Sequence, residues 1–482
     1  MVVTVTREVT NHVRMGTRTG RWVLASTVLG SGVAFLDATI VNVALPRIQT
    51  GLGASLSDLQ WVLDAYLLTL GALILVGGAL GDLLGRRRVF LVGLVGFGLA
   101  SVACGLAPTP VTLIAARAVQ GVAGALLVPG SLAIITAGFE PADRGRAIGA
   151  WSGLASVSTA LGPFAGGYLV DVASWRWAFF VNVPLITAAI IAAVRHVPES
   201  TALAPSGHRL SEYLDVRGGL TAVVGLALLI YPLIEATRLA AALIAVLLAA
   251  GAAALWLFVV VERRQRLPML PLELFRSRTF TVANLITLAV YGGLGAALFL
   301  LSLELQNRLG YSAFDAGAAL LPLTVLLLLL SSRVGALLPR IGLRLPLTVG
   351  PLLAGVGLLL LVRVHPGASY AGSVLPGVLV FALGMCLVVA PVTTAALASV
   401  DEAHSGAASG VNNAAARIAG LVAVAVLPLA AGLSTTTTTA RSNADFTTGF
   451  HRAMVIAAAL LFLGAVTALV GLGEAATDTV RS

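Results

Sequence analysis

The sequence predicts an all-α polytopic membrane protein with fourteen transmembrane helices, and three observations carry that prediction. Mean hydropathy is +0.98 over 482 residues, with 58% apolar and only 11% charged residues. A water-soluble core cannot hide that much apolar surface. Apolar runs long enough to cross a bilayer as a helix recur near 22–46, 58–81, 89–107, 111–137, 146–171 and 178–194, then 216–234 and 240–261, then 279–303, 316–332, 345–362, 372–399, 413–433 and 449–472. The 30 basic residues are all arginines and gather in alternate short loops, the distribution that marks the cytoplasmic side. A net charge of +9 arranged in this way points to a bilayer and not to nucleic acid. An even number of crossings puts both termini on one side, and the arginines choose the cytoplasm of a cell membrane, inner or plasma. Cys104 and Cys386 lie singly in apolar runs, so neither a disulfide framework nor a metal site is expected.

The basic tail, 1–21, precedes a run that is too long for a signal-peptide core and carries Asp37, so it is read as an uncleaved first helix. The stretch Leu36 to Pro46 holds this acid in a segment with no other charge between Trp22 and Arg47. A lone carboxylate in hydrocarbon costs roughly 2.5–3.5 kcal/mol and is retained where it meets a wet cavity or a partner, marking an ion or proton path. Thr39 and Asn42 follow on the same helix; hydroxyl capping of a packing acid is the plainer alternative.

The loop after the second segment reads Gly78-Ala79-Leu80-Gly81-Asp82-Leu83-Leu84-Gly85-Arg86-Arg87-Arg88. Its glycines permit tight turns and close backbone approach, and its arginines anchor the arginine-rich face. In this spacing the chain resembles the major facilitator superfamily. A weaker echo, Gly335 to Arg344, follows the tenth segment without the aspartate, as expected if two six-helix halves repeat. The resemblance implies a conformational latch of Gly78, Asp82, Gly85, Arg86 and Arg87, with Asp82 meeting the start of the thirteenth segment near Ser409 to Asn413.

The fourth segment opens Leu113 to Gly124 with Arg117 inside it, the only arginine placed well within a span, and this matches the superfamily's second motif. An intramembrane cation asks for a counter-ion. At 1.5 Å per residue Asp37 lies about 13 Å, and Arg117 and Asp64 about 9 Å, from their outer ends. Asp37, Asp64 and Arg117 are therefore the candidate proton and substrate coupling group, with a purely structural pin as the alternative for Arg117. The fifth segment carries Gly149, Ser158, Gly162, Pro163, Gly166 and Gly167. This six-position pattern, with serine at one glycine position, resembles the antiporter motif of the family. Trp175 to Pro184 reads as an aromatic belt and resembles the fourteen-helix drug/proton antiporter branch, as do Leu36 to Pro46, Leu305 to Pro322 and Gly406 to Arg417. Ile418 replaces the branch's usual glutamine.

The organisation that follows is a tail (1–21), an N-terminal six-helix half (22–194), basic loops with an inserted helix pair (195–278), a C-terminal six-helix half (279–472) and a tail (473–482). Thr435 to Thr439 reads as a flexible spacer. The resemblance implies a multidrug efflux transporter and not an enzyme: a proton-coupled antiporter working by alternating access, driven by the proton gradient and needing no cofactor. Its expected partners are protons, the lipid bilayer and a small lipophilic substrate, with the chain a monomer. Segments 10 to 14 hold no acid in their cores; family members that export divalent cations look as if they use an acid there, so the resemblance implies monocationic or neutral substrates. Phe35, Tyr66, Trp151, Tyr291 and Phe299 are candidate cavity aromatics, each equally readable as packing. A lipid or lipoglycan exporter and a small-metabolite facilitator on the same fold are the alternatives.

Overall fold

A computed structural model describes residues 12–200, 216–265, 270–400, 405–433 and 440–472. The predicted spacer Thr435 to Thr439, the final tail and the middle of the 195–217 loop lie outside the described residues. Among the described residues the chain is helical, apart from one isolated bridge between Val13 and Phe139.

The N-terminal half comprises α1 (Arg18–Leu52), α2 (Leu56–Leu84), α3 (Arg86–Leu106), α4 (Pro110–Gly138), α5 (Pro141–Val172), α6 (Trp177–Phe180) and α7 (Asn182–His196). The inserted pair is α8 (Val216–Ile234) and α9 (Ala241–Arg264). The C-terminal half comprises α10 (Arg278–Asn307), α11 (Ala313–Ala319), α12 (Leu321–Ile341), α13 (Arg344–Leu360), α14 (Leu375–Ala398), α15 (Ser405–Ala430) and α16 (Ala440–Gly471). The helices α6 and α7 make one crossing, as do α11 and α12, whose junction falls at Leu320 just before Pro322. Thirteen crossings are long and apolar enough to span a bilayer. The remaining one, α5, has 32 residues and is about 48 Å long at 1.5 Å per residue, which completes fourteen. The face on which the chain begins is called the near face below, and the opposite one the far face.

Local chemistry sets the helix ends. Ser55 and Asp58 form a capping box at the start of α2, and Thr109 with Thr112 does the same for α4, which satisfies orphan backbone donors at a water-facing end. Two spans differ from the sequence expectation. The first helix runs through Pro46 to Leu52, because Ser302 of α10 donates to the Asn42 carbonyl at 2.8 Å, the acceptor that Pro46 cannot satisfy. The thirteenth crossing starts at Ser405 and not near 413. Its polar entry is hidden by internal bonds: Asn412 Nδ2 donates to Thr287 Oγ1 at 2.8 Å, and Asn413 folds back onto the Ser409 carbonyl. Hydropathy alone cannot see such pairing.

The inserted pair does not stand apart. Leu226, Ile230 and Ile234 of α8 pack with Leu68 and Ala72 of α2 and with Leu421 and Ala425 of α15, so α8 covers a seam between the two halves. Outside it, α9 presents Leu243, Val246, Trp256 and Leu257 outward, as a lipid-facing helix does.

Candidate functional site

Asp37 and Arg117 meet inside the N-terminal half, both with fully buried side chains, through Arg117 Nη1 and Asp37 Oδ2 at 2.5 Å. Two further donors complete the carboxylate's shell: Gln120 Nε2 and Asn182 Nδ2, each 2.9 Å from Oδ1. Ser101 Oγ accepts from both amides. The guanidinium is held in turn by the Val62 carbonyl at 2.9 Å and by Gln120 Oε1 at 2.6 Å, and its Cζ lies 4.2 Å from the centroid of the Tyr66 ring. Five spans thus fix one ion pair. Breaking such a pair by removing one partner costs about 3–5 kcal/mol, because the other charge is left uncompensated. Sequence reasoning found the two charges and missed Ser101, Gln120 and Asn182. Gln120 was detectable, since it follows Arg117 by three residues and shares its helix face; Asn182 sits in the aromatic belt with nothing local to mark it.

Asp64 does not join this group. It is fully buried, and neither carboxylate oxygen has a hydrogen-bond partner among the described residues. One turn earlier on the same face of α2, Gln60 donates to the Val424 carbonyl of α15 at 2.7 Å. One turn later, Leu68 packs under α8 and α15. Asp64 therefore lies at the seam of α2, α8 and α15. Its depth matches that of Arg117 but its azimuth does not: Arg117 binds the carbonyl of Val62, and two residues are about 200° apart around a helix of 3.6 residues per turn.

Between the halves lies a cavity of about 60 Å³, lined by Asn42, Tyr66 and Arg117 on one side and by Leu298, Gly420 and Val424 on the other. Sites for drug-sized ligands run to roughly 300–1,000 Å³, so at this level the halves are closed on each other. The far face is closed too. Gln306 Nε2 donates to the Val43 carbonyl at 2.9 Å beside the Ser302 to Asn42 bond. Asp171 of α5 accepts from the backbone N–H groups of Ala313 and Phe314, at 3.2 and 2.7 Å, and pairs with Arg47 at 3.4 Å. The Phe164 and Phe314 rings pack at a tilt, with centroids 4.9 Å apart.

The six-position pattern of α5 divides along its length. Gly162 and Gly166 abut Thr39 and Ile40 of α1, and Gly167 abuts the backbone at Ala313 of α11, where Gly317 in turn meets the Pro163 carbonyl. Ser158 faces Gly32. Toward the near face a Cβ added at Gly145, Gly149 or Gly153 would meet nothing within 4 Å. The conformation is therefore sealed at the far face, while the glycines in the near-face half of α5 face open space.

In the signature loop, Asp82 accepts from Arg86 at 2.7–2.9 Å, and its side chain is 46% exposed. Among the described residues no hydrogen bond or ion pair links it to Ser409 to Asn413. The loop is tied instead to the end of the half: the Arg87 N–H donates to Glu199 at 3.0 Å, and its side chain donates to the Val194 carbonyl at 2.7 Å. Gly85 has φ +108°, and Glu199 occupies the place of its missing side chain. Gly78 packs against Pro129.

Among the aromatic candidates, Phe35, Trp151 and Tyr291 are partly exposed. Trp151 Nε1 donates to Ser31 Oγ at 2.7 Å, and Tyr66 donates to the Ala34 carbonyl. Phe299 is fully buried in the large apolar core cluster. Arg117 is also not alone within the spans, because the longer α15 places Arg417 midway along it. Among the described residues no three potential metal ligands cluster.

Comparison with known proteins decides the family. The profile of the Major Facilitator Superfamily matches residues 27–424. The chain belongs to the major facilitator superfamily. It is a multi-pass membrane transporter, not an enzyme. It is 37% identical to the multidrug resistance protein Stp of Mycobacterium tuberculosis over 424 residues, covering 87% of this chain and 78% of that protein. It is 37% identical to the puromycin resistance protein pur8 of Streptomyces alboniger over 481 residues, covering 95% and 93%. The same fold occurs in a peptide transporter solved with sulfate, at TM-score 0.67 and 15% identity, with 96% of this chain and 98% of that one covered.

Proposed function

We propose that the protein is a proton-coupled antiporter that exports lipophilic drugs or antibiotics across the cell membrane, with the near face and both termini in the cytoplasm. The observation that carries the coupling is the fully buried Asp37–Arg117 pair, beside a cavity that both halves line. Its relatives' names, multidrug and puromycin resistance proteins, support export of small drugs. In this reading the chain acts as a monomer built of two halves, 22–194 and 279–472, with the pair inserted between them. Substrate in this reading enters from the near face, past the open glycine face of α5, while Asp171, Ser302 and Gln306 seal the outside. Protonation of Asp37 frees Arg117 from its counter-charge, and the two halves re-pack around the changed charge. Each ligand acts by binding one conformation better than the other. Asp64 is the second exchangeable proton site, because an ionised carboxylate in its seam would have no partner.

Everted vesicles acidified inside test this directly. They should accumulate a lipophilic dye against its gradient and release lumenal protons when substrate is added. Dye uptake that persists unchanged after the pH gradient is collapsed would remove proton coupling from the proposal.

A further inference from the structure

Among the described residues Arg417, between the halves, stands outside every ion pair. Arg417 lies midway along α15, partly exposed, with its Cβ against Gly71 of α2 and its guanidinium 5.4 Å from the centroid of the Phe35 ring of α1. Its charge also reaches the hydroxyls of Tyr66 and Tyr291. Among the described residues it makes no hydrogen bond and no ion pair. An arginine at mid-helix depth costs more to insert than a cation–π contact with a phenyl ring returns, so Phe35 alone does not account for it.

Among the described residues no acid of the bundle pairs with Arg417. Asp37 is taken by Arg117, Gln120 and Asn182. Asp82 is taken by Arg86. Asp64 faces the seam under α8, and Glu304 of α10 accepts from Thr447 at 2.8 Å. The Asp37–Arg117 pair is neutral as a unit, which leaves Arg417 as an unpaired positive charge beside Phe35. An attractive site for a cation would carry the opposite sign.

We propose that Arg417 is a substrate-recognition residue: it binds the anionic oxygen pole of a lipophilic acid whose aromatic body lies on Phe35 and Tyr291. A planar guanidinium grips a carboxylate through two parallel bonds, and a ring on the substrate finds aromatic faces within reach of the same fork. This rests on the export reading and narrows its substrates to lipophilic monoanions, in place of the monocations expected from the acid-free C-terminal segments.

The test uses the purified full-length protein and three probes of one shape: 1-pyrenecarboxylate, 1-pyrenemethanol and 1-pyrenemethylammonium, with binding read by fluorescence anisotropy. The wild type should bind the carboxylate at least tenfold more tightly than the ammonium. Arg417→Gln should lose about tenfold for the carboxylate and keep its affinity for the neutral alcohol within twofold, which also shows that the variant is folded. Arg417→Lys should fall between, keeping the charge without the fork. A wild-type preference for the ammonium, no binding of any probe, or an Arg417→Gln variant with undiminished carboxylate preference would overturn the proposal. The wild-type ranking decides even where Arg417→Gln does not fold. Failure of dye export in vesicles would sink the export reading while leaving the binding order as an independent result.

Discussion

Gly167→Ala should drive the transporter toward the conformation open at the far face. A Cβ at this position would stand 2.5 Å from the Ala313 carbonyl oxygen and 2.7 Å from Phe314 Cα, well inside the 3.5–4.0 Å of ordinary carbon contact. Both obstacles are backbone atoms, and α11 cannot retreat freely while Asp171 holds its N–H groups. Overpacking of this kind costs about 1–3 kcal/mol. The cost falls only on the conformation in which α5 meets α11, so the equilibrium should move by about 5- to 150-fold at 1.36 kcal/mol per factor of ten. Ser302→Cys supplies the reporter: Ser302 is sealed in the closed gate at 1% exposure, and native Cys104 and Cys386 are buried at 0% and 1%, so background labelling by a membrane-impermeant maleimide is low. The labelling rate from outside should rise at least fivefold. Gly149→Ala on the same helix is the control, since it gains the same helix propensity but meets open space. Equal rates in the two variants, or an unchanged rate in Gly167→Ala, would refute the argument.

Asp37→Asn should abolish dye export driven by a pH gradient while the protein still reaches the membrane, and it should lower thermal stability by about 3–5 kcal/mol because Arg117 is left unpaired; retained proton-driven export would count decisively against the coupling role. Asp82→Ala removes a half-exposed pair worth about 1 kcal/mol or less, so stability should hold while turnover falls more than substrate affinity does; transport kinetics that match wild type would contradict this. Gln306→Ala removes one hydrogen bond across the gate, that to the Val43 carbonyl, at about 1 kcal/mol, and should raise Ser302→Cys labelling about fivefold in the same maleimide assay.

How much was legible in the sequence depends on whether a feature is one-dimensional. Hydropathy runs, arginine placement and the loop from Gly78 to Arg88 are properties of contiguous residues, and they gave the crossings and the family. Depth is likewise one-dimensional at a fixed rise per residue, and it paired Asp37 with Arg117 correctly. Azimuth is not recoverable from depth. Asp64 stands level with Arg117 and faces another helix, because its direction is set by the packing of α8 and α15 against α2. The start of α15 escaped for a related reason. Asn412 and Asn413 read as water-exposed in a hydropathy window, yet their amides are satisfied within the bundle, and the misplaced boundary hid Arg417 at a helix end.

The first helix joins the two regions that alternating access must connect. Asp37 lies five residues before Asn42, a rise of about 7.5 Å, with an unbroken helix between them. Pro46 gives that helix its second role, because it cannot donate to the Asn42 carbonyl, and the C-terminal half supplies the donor through Ser302, with Gln306 on the next carbonyl. The far-face gate is thus built partly from a backbone acceptor, the Asn42 carbonyl, that is left open because a proline sits one turn away. Any rotation or shift of α1 that follows a change of partner at Asp37 must move these carbonyls relative to α10. Such bonds fail over a few tenths of an ångström to an ångström of displacement, so a small movement at the buried ion pair suffices to break the seal. On the proposed mechanism this is the shortest mechanical path from proton to gate, and it runs through one helix without requiring the inserted pair.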